Sequence, residues 1–143
     1  MKISTKVRYG IKALKYIAKE SSEGRLVRIK EISEAENISI QYLEQILFKL
    51  KNKDIIEGKR GPQGGYKFLK RTDEVTLHDL YVILDEEIKI IDCNEPTENK
   101  KVCSDDGCSS ECVWGQMDVA MREIMKSKTL EDLLENSHEI IGE

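Results

Sequence analysis

The chain is 143 residues long, 39% apolar, 35% charged and only 6% aromatic. That balance suits one charge-rich, helix-leaning domain with an appendage and argues against an all-β sandwich. No apolar run approaches the roughly 18–20 residues of a membrane span. The stretch Met1–Ile11 alternates basic and apolar residues without the apolar core of an export signal, so a cytoplasmic protein is expected. The net charge of −4 conceals a split: residues 1–70 carry 16 Lys and Arg against 8 Asp and Glu, whereas residues 71–143 carry 7 against 19. A basic half on an acidic protein points to a polyanionic partner.

Taken in order, Thr5–Glu20 is predicted to be a helix, because Val7, Ile11, Leu14, Ile17 and Ala18 recur at helical spacing. Ser4 or Thr5 suits its start and Gly24 lies just past its end. A second apolar-periodic segment begins at Val27, continues through Ile29, Ile32 and Ala35, and stops at Asn37. Ser39 suits the N-cap of a third helix, whose apolar face is Tyr42, Leu43, Ile46, Leu47 and Leu50. The short polar turn Glu36–Ser39 makes the pair a helix-turn-helix. Ile55–Leu69 reads as two short strands around a Gly/Pro-rich tip, with Gly61, Gly64 and Gly65 expected to supply the positive φ of the turn. Lys59, Arg60 and Lys67 make this hairpin basic. Helix-turn-helix followed at once by a basic hairpin is the order of a winged helix.

Thr76–Asp85 is predicted to be a fourth helix, opened by a capping box of Thr76 and Asp79. Residues 92–107 lose all periodicity, a length uncommon in a compact domain unless functional. Helical spacing returns over Ser109–Lys126, where Val113, Trp114, Met117, Ala120, Met121, Ile124 and Met125 form one stripe. A stripe this long, this late in a small domain, is expected to form a dimerisation helix; packing on the first helix is the intramolecular alternative. Thr129–Asp132 caps a last short helix. The expected fold is mostly α with a small β wing: a winged helix-turn-helix DNA-binding domain over 1–85, a cysteine-bearing loop over 86–108, and a dimerisation helix with a C-terminal helix over 109–143.

A recognition helix presents its N-terminal residues to base edges in the major groove. Here these are Ser39, Ile40, Gln41, Tyr42, Glu44 and Gln45. Gln41 and Gln45 can pair with adenine, and Glu44 can accept from the cytosine amino group. Lys2, Lys6, Arg8 and Lys51 have the type and placement of phosphate clamps. The wing-tip residues Arg60, Gly61, Pro62 and Gly64 complete the predicted DNA-contacting set, with Arg60 aimed at the minor groove.

Four cysteines are spaced Cys93-x9-Cys103-x4-Cys108-x3-Cys112. In a reducing compartment such residues are expected as ligands or redox groups rather than disulfides. The C-x2-C pair common in zinc sites is absent from this sequence. Wide, uneven spacing favours an iron–sulfur cluster over zinc, and thiolates suit both. A metal-free redox thiol at Cys93 and a packed thiol at Cys112 remain open at this point. His78 and His138 are isolated. No nucleophile–base pair, phosphate loop or catalytic carboxylate pair is present, so no catalytic residue is predicted.

These residues resemble the iron–sulfur cluster regulator (IscR-like) family of winged-helix transcription regulators over nearly the whole chain. The resemblance is carried by the opening Lys2–Tyr9, by Ile38-Ser39-Ile40-Gln41-Tyr42-Leu43-Glu44-Gln45-Ile46-Leu47, and by Arg60-Gly61-Pro62-Gln63-Gly64-Gly65-Tyr66. It implies a homodimer that binds double-stranded DNA at a palindromic operator, with a 2Fe-2S cluster held by loop cysteines ahead of a helix carrying a Trp. Cys108 stands six residues before Trp114, as the family's third ligand cysteine does, so Cys93 and Cys103 correspond to the first and second. Cluster-binding members place a His three residues after the third cysteine; this chain has Glu111 there. Relatives that take a ligand from the partner's first helix have an acid or His where this chain has Arg8 and Lys12, which cannot ligate. Cys112 is then the preferred fourth ligand, with Glu111 the alternative. The expected function is a dimeric regulator sensing iron–sulfur status, redox state or nitric oxide. Its rivals are a metal-free thiol-based repressor and a small iron–sulfur electron carrier.

Overall fold

The computed structural model describes residues 4–21, 24–85 and 111–135, by backbone alone over 111–115. In chain order these form α1 (Thr5–Glu20), α2 (Ile29–Glu36), α3 (Ile40–Asn52), β1 (Ile56–Lys59), β2 (Gly65–Phe68), α4 (Leu77–Asp85), α5 (Glu111–Ser127) and α6 (Leu130–Glu135). The result is a mostly helical winged helix with one small antiparallel sheet.

α1 lies where the apolar period places it and buries Val7, Ala13, Leu14 and Ile17. Gly10 sets its distance from α4: a Cβ there would sit 2.4 Å from Cδ1 of Leu84, which is fully buried. The α2–α3 turn is fixed by three local devices. Asn37 closes α2 in the left-handed conformation, at φ 53° and ψ 49°. The Ser33 hydroxyl donates to the Ile38 carbonyl at 2.6 Å. The Ser39 hydroxyl oxygen accepts from the Tyr42 N–H at 3.3 Å, the N-cap bond its position predicts. Between them the Ile38 side chain is buried in the core.

Val27 corrects the expectation of an early start to the second helix. It lies outside α2 and pairs with the wing: its N–H donates to the Tyr66 carbonyl at 2.9 Å and its carbonyl accepts from the Tyr66 N–H at 2.7 Å. Backbone pairing to β2 outcompetes two more residues of a short helix. β1 and β2 pair with Ile56 opposite Phe68 and Lys59 opposite Gly65. At the tip, Gly61 has φ 113°. Gly64 does not take positive φ as expected; it is required because a Cβ there would fall 2.2 Å from the Lys59 carbonyl oxygen.

α4 and α6 both open on reciprocal capping boxes. The Thr76 and Asp79 backbone N–H groups each find the other's side chain, at 3.0 and 3.1 Å. Thr129 and Asp132 repeat this at 2.9 and 3.2 Å. The two boxes lie side by side: Leu77 N–H donates to the Lys128 carbonyl at 2.8 Å and Leu130 N–H to the Val75 carbonyl at 2.7 Å. Leu130 thereby joins the same core as α1, α3 and α4.

Among the described residues, the principal neighbour of α5 is α4 rather than α1. Its stripe divides. Met125 is buried, while Met117, Ala120 and Ile124 are exposed. Asp118 is buried and pairs with Arg122 one turn on, at 3.0 Å.

Candidate nucleic-acid interface

α3 divides cleanly along its length. Leu43, Ile46, Leu47 and Leu50 are buried, and Gln41, Glu44, Gln45, Phe48 and Lys51 are exposed. Ser39 and Gln41 therefore stand at the free head of the helix, with Glu44 and Gln45 one turn on. Tyr42 is half-buried. Its ring meets the edge of Tyr9 at 5.6 Å, and burial pushes its phenol above the ordinary value. It props the head of the recognition helix against α1, so its contribution to the interface is in part packing. Lys6 lines a crevice with Tyr42, Gln45 and Lys49, which places it beside α3. Arg8 is exposed on α1. Lys2 lies outside the described residues.

Between α3 and the wing runs an open groove of about 560 Å³. Glu44, Phe48 and Lys51 line it from the helix; Lys59, Arg60 and Pro62 line it from the hairpin. Arg28, just ahead of α2, donates to the Pro62 carbonyl and ties the wing tip to the helix-turn-helix. Lys67 faces Glu57 across the strands at 2.8 Å. The hydrogen bond from Lys67 holds the Glu57 carboxyl below its ordinary value. The expected basic character of Lys67 is therefore largely neutralised, whereas Arg60 is exposed and unpaired among the described residues.

Two residues escape sequence reasoning. The role of Arg28 has no local signal, because its partner is 34 positions away. Phe48 has one: it falls off the buried period of its helix yet is apolar, and it is 65% exposed.

A family model described as an iron-dependent transcriptional regulator, Rrf2, matches residues 3–136. This chain belongs to the Rrf2 family. It is 30% identical to the transcriptional regulator IscR of Sodalis glossinidius over 95% of this chain and 80% of that protein. It is 34% identical to the transcriptional regulator CymR of Bacillus subtilis over 93% of this chain and 89% of that protein. The solved structure of CymR, the global cysteine regulator of B. subtilis, superposes with a TM-score of 0.76 at 30% identity, covering 94% of this chain and 97% of that one. This Rrf2 protein is accordingly a DNA-binding transcription regulator of the IscR-like kind and not an enzyme. No helix among its described residues is long and apolar enough to cross a membrane.

Cys93, Cys103 and Cys108 lie outside the described residues, and so do the side chains of Glu111, Cys112 and Trp114. Positions 111 and 112 open the first turn of α5. Among the described residues no cluster of His, Cys, Asp or Glu could hold a metal. Four thiols form a set of soft donors, whose chemistry fits an iron–sulfur cluster.

Proposed function

We propose that this protein is a cytoplasmic, homodimeric transcription regulator that binds a palindromic duplex operator and reports iron–sulfur status, redox state or nitric oxide through a 2Fe-2S cluster. Cys93, Cys103, Cys108 and Cys112 would hold the cluster, with Glu111 as the alternative to Cys112. The observation that carries this reading is the confinement of all four thiols to the stretch between α4 and the first turn of α5. The iron-dependent description of the family model supports it. When bound, the cluster supplies a redox- and nitric-oxide-sensitive centre.

The chain's own residues do the rest. Met117 and Ile124, exposed on α5 of the single chain, would be buried together with Met121 across a two-fold axis. That pairing sets the two recognition helices about one helical turn, or ~10 bp, apart. Lys6, Arg8 and Lys51 neutralise phosphates, Gln41, Glu44 and Gln45 read base edges, and Arg60 enters the flanking minor groove. Cluster binding at the cysteines that follow α4 in sequence would bias α4, and α4 packs on the recognition helix.

One observation favours a second reading, a metal-free thiol-based regulator: CymR shares as much of this chain as IscR does. Anaerobic purification of the full chain separates the two. A brown, iron-containing protein that loses its colour on Cys93→Ala, Cys103→Ala or Cys108→Ala supports the cluster. A colourless protein whose DNA affinity changes on thiol oxidation supports the second reading.

A further inference from the structure

Phe48 is 65% exposed, the largest exposure among the large apolar residues of the described chain. A lone exposed apolar residue is ordinary on a protein surface. What sets Phe48 apart is its place. It lies on one helical stripe with Gln41, Glu44 and Lys51, and it lines the groove facing Arg60 of the wing. Every other member of that stripe is polar or charged. Helical side chains lean toward the helix N-terminus, so the Phe48 ring covers the turn that carries Glu44.

We infer that Phe48 is a specificity-determining residue that reads a thymine methyl group in the major groove, at the base step adjoining the one read by Glu44. Thymine alone among the four bases presents a methyl there, and an apolar side chain is the group that recognises it. The basic rim of the groove, Lys51, Lys59 and Arg60, matches a duplex rather than a second copy of an acidic protein. The assignment rests on the DNA-binding role established above and is independent of the cluster.

The test uses the full chain and an operator selected from a random duplex library. Each thymine of one half-site is replaced in turn by deoxyuridine, which deletes only the methyl. For the wild type, one position is expected to lose about fourfold in affinity, the worth of one buried methyl. Phe48→Ala should bind the thymine and deoxyuridine duplexes equally at that position, and Phe48→Leu should keep the discrimination. Because Phe48 is exposed, neither change disturbs the core. Equal deoxyuridine sensitivity in wild type and Phe48→Ala, or no sensitivity at any position, overturns the assignment. Selection of no duplex overturns the DNA-binding role, and the assignment with it.

Discussion

The ammonium of Lys49, in the recognition helix, donates to the carbonyl of Leu84, in the last turn of α4, at 3.3 Å. The next residue, Asp85, ends α4, and the cysteine-bearing stretch follows. Leu84 also packs its side chain over Gly10 of α1. One residue thus links the recognition helix, the first helix and the entry to the cysteines. Lys49→Met keeps the apolar stem and removes the donor. It is expected to cost about 1 kcal/mol of stability. It should also bring the operator affinities of cluster-loaded and cluster-free protein closer together, as measured by fluorescence anisotropy. An unchanged ratio means the signal takes another route.

Glu44 and Arg60 separate base reading from electrostatic attachment. A carboxylate near DNA is repelled by phosphates unless it accepts from a cytosine amino group. Glu44→Ala should therefore relax preference at one position, with about 1–3 kcal/mol of discrimination lost there. Arg60→Ala should weaken binding to all sequences and lower the salt slope by roughly one unit. Competition binding at two salt concentrations distinguishes the two, and an unchanged sequence profile for Glu44→Ala removes that residue from base readout.

Gly64 is a steric requirement of the wing. A methyl there would press on the Lys59 carbonyl oxygen at 2.2 Å, a backbone atom that cannot swing aside. Gly64→Ala should force the tip apart at a cost of about 1–3 kcal/mol. Operator affinity is expected to fall about tenfold or more. The same cost should lower the melting temperature by several degrees.

Asp132 gives the fold a pH dependence of known sign. Its carboxylate accepts from the backbone N–H of Thr129 at 2.9 Å and from the Thr129 hydroxyl at 3.0 Å. These bonds, the backbone one foremost, hold its pKa below the ordinary 3.8. A depressed carboxylate stabilises the fold above its unfolded value, and that contribution is lost as pH falls through the folded one. Thermal unfolding followed below pH 3.8 should therefore decline more steeply for the wild type than for Asp132→Asn. Parallel curves mean the capping box contributes nothing that titrates.

Features set by neighbours in sequence were legible before the fold was known. The limits of α1, the Ser39 cap, and the Thr76 and Thr129 boxes all follow from spacing and side-chain chemistry within one turn. Features set by distant partners were not. Val27 looks helical by period, and only the wing, 39 positions on, claims its backbone. Lys67 looks like a free cation until the register places Glu57 opposite it. Gly64 looks like a turn glycine, while its real constraint is the folded-back Lys59 carbonyl. On α3, the exposed positions were legible as those its buried face leaves over. Phe48 falls outside that buried period too, but only the groove it lines with the wing gives its exposure a place.

The most direct measure of the proposed function is the iron and inorganic sulfide content per chain of anaerobically purified protein that binds its operator. A 2Fe-2S centre predicts about two of each, with visible absorbance. Loss of both in Cys93→Ala, Cys103→Ala and Cys108→Ala is expected, and greater loss in Cys112→Ala than in Glu111→Ala. A colourless, iron-free protein that binds the same operator with its cysteines intact and reduced would contradict it.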